Sequence, residues 1–190
     1  MSALLAALFD DHIRVQRERT DAALQACGFE SLAIFAGRPP MQFLDDRPYS
    51  FAPNPHFKLW VPLEACAECW LIYKPHAPLQ LVFFQPVDYW YKPPALPSGY
   101  WTKHFAIEVI REASDARQFL AGLKNCAFIG ERQPEFDAWG FAAFNPQALI
   151  DYLHYDRARK TSYEVECMRR ASQRGARGHL ADERAFRSGA

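Results

Sequence analysis

A chain of 190 residues is long enough for one domain of about 150 residues with its own core, plus an appendage. Its 49% hydrophobic and 23% charged residues, with no low-complexity tract, describe an ordered globular protein rather than a disordered or fibrous one. The 22 basic side chains balance 22 acidic ones, which leaves no electrostatic footprint for nucleic acid. The balance is uneven along the chain. Residues 1–150 hold 13 Lys and Arg against 16 Asp and Glu, whereas residues 151–190 hold 9 against 6. No apolar run approaches the roughly 18 residues that would span a bilayer, so no membrane partner is expected. The opening stretch, Met1 to Asp11, lacks a basic leader and does not read as a signal peptide. Five scattered cysteines suit a reducing cytoplasm better than a disulfide framework.

In chain order, residues 3–27 read as a long helix with an apolar stripe from Leu4, Leu5 and Leu8 to Ala23 and Ala26, stopped by Gly28. Ser31–Ala36 is a short apolar strand. Cys69–Lys74 and Leu79–Gln85 form a hairpin around Pro75 and Pro78, and Ala106–Arg111 and Cys126–Gly130 add two more strands. Between those two, Ser114 is placed to cap a helix to Leu123. Further helices are expected over Glu135–Phe141 and from Pro146. Strands alternating with helices, one pair being a hairpin, predict an α/β fold with a small mixed sheet flanked by helices.

Residues 38–62 and 86–102 fit no regular element. Both are rich in proline and aromatics: Phe43, Tyr49, Phe51, Phe57 and Trp60 in the first, Tyr89, Trp90, Tyr91, Tyr100 and Trp101 in the second. Aromatics at this density argue against disorder. They either pack over the domain's own sheet or anchor a subunit interface. The last segment opens on Thr161-Ser-Tyr-Glu164, a capping box, and is helical to Ser188. Gly175 and Gly178 inside it each cost about 1 kcal/mol and imply a closely packed partner that nothing else in the sequence supplies.

Chemistry is sparse. Cys66-Ala-Glu-Cys69 has metal or redox spacing, but no second ligand pair follows, and a strand rather than a helix comes after it, so a structural role is expected. His12, His56, His76, His104, His154 and His179 are isolated from one another in sequence. There is no Gly-x-Ser-x-Gly and no phosphate loop. Asp45 and Asp46 are adjacent, so on a strand they would face opposite ways; a solvated turn before Pro48 is the simple reading.

Several ordered blocks resemble the amino-terminal domain of bacterial Xaa-Pro dipeptidases (prolidases): Gln42-Phe-Leu-Asp-Asp-Arg-Pro-Tyr49, Asn54-Pro-His-Phe-Lys-Leu-Trp-Val-Pro62, Pro86-Val-Asp-Tyr-Trp90, Asn145-Pro146 with Ile150-Asp-Tyr-Leu-His-Tyr155, and Arg159-Lys-Thr-Ser-Tyr-Glu164 with Met168-Arg-Arg-Ala171. The resemblance covers nearly the whole chain. It implies a two-domain homodimeric enzyme, with residues 1–156 as the N-terminal domain and 157–190 as the start of a pita-bread catalytic domain. In that family the catalytic domain holds a dinuclear divalent metal site, usually Mn²⁺ or Co²⁺, that hydrolyses a dipeptide ending in proline. Some relatives also hydrolyse organophosphate esters. The five metal ligands are expected to lie outside this chain, which would then be inactive alone and serve dimerisation and substrate-pocket shaping. Asp46 is the residue the resemblance places in the partner's substrate pocket, with Asp45 and Trp90 beside it. Other readings are a stand-alone dimerisation or binding module, or a relative of the creatinase and aminopeptidase P type.

Overall fold

The computed structural model describes residues 3–189. Helix α1 (Ala3–Cys27) is followed by β1 (Ser31–Phe35), a one-turn α2 (Pro55–Lys58), β2 (Trp70–Tyr73), β3 (Leu79–Phe84), β4 (Phe105–Ile110), a short α3 (Arg117–Leu120), β5 (Cys126–Ile129), β6 (Ala143–Phe144), α4 (Gln147–Arg157) and α5 (Ser162–Ser188). The strands form one mixed sheet in the order β4-β3-β2-β1-β5-β6. β1 and β2, and β2 and β3, are antiparallel; β3 with β4, β1 with β5, and β5 with β6 are parallel. The α/β class and the mixed sheet expected from the sequence are present.

Every residue of β1 is buried, so both faces of the sheet are covered. Alternation splits its side chains between two cores. Leu32 and Ile34 join Leu71, Leu81, Phe83 and Ala127 beneath α1 and α4. Ala33 and Phe35 join Trp70, Ile72, Phe128 and Phe136 on the opposite face. That second core is built around an aromatic stack, with α3 adding Leu120: Trp70 contacts Phe35, Phe136 and Trp139 at centroid distances of 4.7, 4.9 and 5.4 Å.

Five expected strands appear within one residue of their predicted ends. The structure differs elsewhere. The buried stripe of α1 is Leu5, Phe9, His12, Ile13, Gln16, Thr20, Ala23 and Leu24, so Leu4 lies off the core and three polar residues lie on it. The helix expected over 114–123 is a 3₁₀ turn, Ala113–Ala116, leading into α3; the Asp115 carboxylate accepts the Glu112 N–H, and Ser114 is not the cap. Residues Pro134–Ala138 make a 3₁₀ turn instead of the expected helix over 135–141. The segment 38–62 contains α2, whose cap is the Asn54 side chain accepting the His56 N–H at 2.9 Å.

α5 is anchored only at its start. The expected capping box is present: Thr161 Oγ1 accepts the Glu164 N–H, and the Glu164 carboxylate accepts the Thr161 N–H at 2.9 Å. Tyr163 is buried against Phe9 and its hydroxyl lies 2.9 Å from that of Tyr100. From Ala171 onward every described residue is exposed. A methyl group added at Gly175 or Gly178 would meet nothing within 4 Å, so no element among the described residues packs there.

Candidate functional site

Beyond Gly37, at the carboxyl end of β1, the chain leaves the sheet as an arm that returns through Asn54 into α2. The arm is ordered by backbone pairing: Met41 and Pro48 form an antiparallel bridge, the Gln42 N–H donates to Arg47 O at 2.9 Å, and the Tyr49 N–H donates to Pro40 O at 2.9 Å. Its tip turns at Leu44, which adopts a left-handed φ of 57°. Asp45 holds that turn, its carboxylate accepting the Arg47 N–H at 3.2 Å. Asp46 is exposed and has no hydrogen-bond or ionic partner among the described residues. Phe43 and Leu44 beside it are 89% and 92% exposed.

The arm's base is fixed by charge. The Arg38 guanidinium donates to both oxygens of Glu68, to Glu135 Oε1 at 2.9 Å, and to Gln133. Those partners, Glu68 first, raise the Arg38 pKa further above its ordinary value. Two carboxylates converging on one guanidinium give a directional clamp that a lysine could not reproduce.

The second aromatic segment ends in a comparable loop. The Asp88 carboxylate accepts the N–H groups of Trp90 and Tyr91 at 2.7 and 2.9 Å, and the rings of Tyr89 and Trp90 meet edge-on at 4.9 Å. Val87, Tyr89, Trp90 and Tyr91 all project into solvent. The two loops thus do not behave as units. Phe57, Trp60 and Trp101 are core residues, while Phe43, Tyr49 and residues 89–91 are surface aromatics. No hydrogen bond or ring contact joins Trp90 to Asp45 or Asp46 among the described residues. Nor do Phe57 and Trp60 surround the aspartates.

A crevice of about 620 Å³ opens between the arm and the carboxyl ends of β1 and β5. Open α/β sheets characteristically bind ligands outside the carboxyl ends of their strands. Here the walls include Arg38, Phe51, Pro53, Gly130 and Asn145, with His56 from α2 and His154 from α4 at one side. The Asn145 amide bonds both the N–H and the C=O of Gly130, at 2.9 and 2.8 Å, which pins β5 to the segment after β6. The two histidines, isolated in sequence, lie with their Nε2 atoms 3.1 Å apart. Only the fold joins positions 98 residues apart, and no spacing rule could have found the pair.

Cys66 and Cys69 are both buried, and burial pushes the Cys66 thiol up to about 12 and raises Cys69 as well. Neither is a thiolate at neutral pH, and the Cys69 sulfur instead accepts the Phe84 N–H at 3.4 Å. Among the described residues no three His, Cys, Asp or Glu side chains are grouped to hold a metal ion. No helix among them is long and apolar enough to cross a membrane.

Residues 7–155 match the family described as Xaa-Pro dipeptidase, N-terminal domain. Curated proteins named Xaa-Pro dipeptidase are similar throughout. That of Shewanella loihica is 43% identical over 187 residues, covering 98% of this chain and 42% of its own length. That of Xanthomonas euvesicatoria is 44% identical over 186 residues, covering 97% and 42%. The chain therefore spans about 42% of the length of these relatives. A solved Bacillus anthracis structure, provisionally assigned as an aminopeptidase P, shares 16% identity with a TM-score of 0.43 over 78% of this chain and 35% of that one.

Proposed function

The chain belongs to the family of Xaa-Pro dipeptidase N-terminal domains, and from that premise we propose that it is the non-catalytic amino-terminal part of a metal-dependent enzyme cleaving Xaa-Pro dipeptides. Residues 1–156 form its domain and 157–190 lead into the catalytic one. The observation that carries the reading is the arm, an ordered excursion whose tip presents an unpartnered carboxylate, Asp46, between two almost fully exposed apolar side chains and a polar turn. Apolar groups this exposed on a fixed scaffold suit contact with another subunit. In a homodimer the arm tip and the Tyr89–Tyr91 loop would be covered together. Asp46 would enter the partner's substrate pocket, with Asp45 and Trp90 in supporting places. There, out of bulk water, a carboxylate attracts a dipeptide's ammonium group more strongly than it does in solvent.

In the whole enzyme a divalent metal pair, with Mn²⁺ or a similar ion expected, would supply hydroxide and polarise the scissile carbonyl. Among the described residues no three His, Cys, Asp or Glu side chains are grouped to fit such a centre, and the part we assign to this chain is to bind, orient and exclude water. Five free cysteines, three of them buried and protonated, suit a cytoplasmic location.

The test is direct. Incubated with Mn²⁺ and a Xaa-Pro dipeptide, the 190-residue chain gives no turnover above the metal-only blank, and sedimentation shows a dimer that a Phe43→Ser, Trp90→Ser double variant weakens. Turnover that survives further purification overturns the non-catalytic assignment. A monomer at all concentrations overturns the dimer.

A further inference from the structure

The contact between His56 and His154 lies at one side of the crevice. Their Nε2 atoms are 3.1 Å apart, their ring centroids 5.0 Å apart, and their planes differ by 13°. Rings stacked face to face with touching nitrogens would have much closer centroids. These two meet edge to edge, nitrogen toward nitrogen. Two bare lone pairs facing each other at that distance would repel, so one Nε2 carries a proton and donates it to the other. The rings are thereby fixed in complementary tautomers: the donor holds its proton on Nε2, the acceptor on Nδ1. Among the described residues no third His, Cys, Asp or Glu is grouped with the two rings to complete a metal site, and the pair is read as a proton site.

We propose that the His56–His154 pair is a proton-operated latch between α2 and α4, closed by the single proton its two Nε2 atoms share and opened when each of them carries one. A proton added to the accepting nitrogen leaves two N–H groups facing each other across 3.1 Å, with no lone pair between them to accept.

The surroundings oppose that step. His56 is buried. From α4 it faces His154, Asp156 and Arg157; from α1, Gln16 and Arg19 line a small cavity shared with it; its own helix carries Lys58. On the crevice side stand Arg38 and Glu131, the former already engaged by Glu68 and Glu135. Asp156 and Glu131 are outnumbered by cationic groups. Burial first, then Arg157 and His154, push the His56 pKa down to about 4. The closed pair thus resists the added proton, and acid weakens it progressively below about pH 6.5, where a solvated histidine would hold that proton. What opens is the contact of α2 with α4, and with it the turn at the end of α2, where the Lys58 N–H donates to Asn54 O and the Trp60 and Val61 N–H groups donate to Phe57 O.

Imidazole ¹⁵N spectra of the 190-residue chain from pH 8 to pH 4, with amide exchange at Lys58, Trp60 and Val61, test the latch. At pH 8 one ring should show the Nε2–H form and the other the Nδ1–H form. As pH falls from about 6.5 toward 4, protection of those three amides should fall at least tenfold relative to β1 and β5. His56→Gln, which keeps a donor toward His154 but removes a titrating nitrogen from the bridge, should abolish that selective fall. Identical tautomers at pH 8, protection of those amides that does not change with pH relative to β1 and β5, or the same acid loss in His56→Gln would each overturn the proposal. The tautomer measurement needs only the wild-type chain, so a poorly folded variant does not rescue it. None of these outcomes depends on whether the chain dimerises or on the enzyme it serves.

Discussion

His12 and Thr161, 149 residues apart, meet with the imidazole Nδ1 2.8 Å from the threonine hydroxyl oxygen. The other ring nitrogen, Nε2, lies 2.6 Å from the Leu59 carbonyl oxygen, which can only accept. Nε2 therefore carries the proton in the neutral ring, and Nδ1 accepts from the Thr161 hydroxyl. One side chain of α1 thus joins the residue after α2 to the cap of α5. Thr161→Val keeps the shape but removes both the cap acceptor and the donor to His12. It should cost about 1–2 kcal/mol in urea denaturation and fray the first turn of α5 in amide exchange. A change under a few tenths would mean that Tyr163 alone holds the helix.

Acid sensitivity follows from the same ring and from His56. Burial is the leading cause of the lowered pKa in both. A depressed histidine pKa means that the unfolded chain binds the proton first. The stabilisation is complete above about pH 6.5 and is lost as pH falls toward the folded value. His56, with its folded value about 4, should account for about 2 kcal/mol of lost stability by pH 5. Urea midpoints measured at pH 7.5, 6 and 5 should fall in that order. His56→Gln should flatten the decline below pH 6.

The two adjacent aspartates should separate cleanly. Asp46→Ala removes no contact and should leave Tm within about a degree. In a protein that continues these residues through a catalytic domain, it should lower kcat/KM for Xaa-Pro dipeptides. Asp45→Ala removes the acceptor for the Arg47 N–H and should loosen the arm, seen as faster proteolysis between Pro40 and Tyr49. Unchanged kinetics for Asp46→Ala would return that residue to the role of a solvated turn.

Gly130 ends β5 with a φ of 151°, and a methyl group there would sit 2.9 Å from Phe35 Cβ and 3.2 Å from its carbonyl oxygen. Neither contact is the flexible end of a side chain. Gly130→Ala should therefore destabilise by about 2–4 kcal/mol, from backbone strain and overpacking together. Gly175→Ala, in an open helix interior, should stabilise by up to about 1 kcal/mol.

Exchange along α5 should be graded. Amides over residues 165–168 should be protected nearly as well as those of β2 and β3, and amides beyond Ala171 much less, because no side chain there is covered. Uniform protection to Ser188 would show that the exposed part is held by another copy or another chain.

What could be read from the sequence was whatever is local. Five strands stood out because each is a mostly apolar run, interrupted by Gln80 in β3 and Glu108 in β4, and the Thr161 box is a four-residue signal. β6, two residues long, has no alternation to read and exists through its pairing with β5. The stripe of α1 was blurred because His12, Gln16 and Thr20 occupy core-facing positions. Composition could not divide Phe57 and Trp60 from Phe43 and Tyr89, since burial of a loop aromatic depends on what crosses above it. The arm was visible as a block of residues, but its clamp at Arg38 and the histidine pair join distant segments.

α5 runs for 27 residues, about 40 Å at the usual rise, yet its bearings are all within its first two turns. A tilt of a few degrees at the Thr161 cap would swing the far end by several ångströms. Anything that packs along the exposed face takes its heading from His12, Thr161, Tyr100 and Tyr163. Substitutions there should misalign what lies downstream far more than they destabilise the domain that holds them.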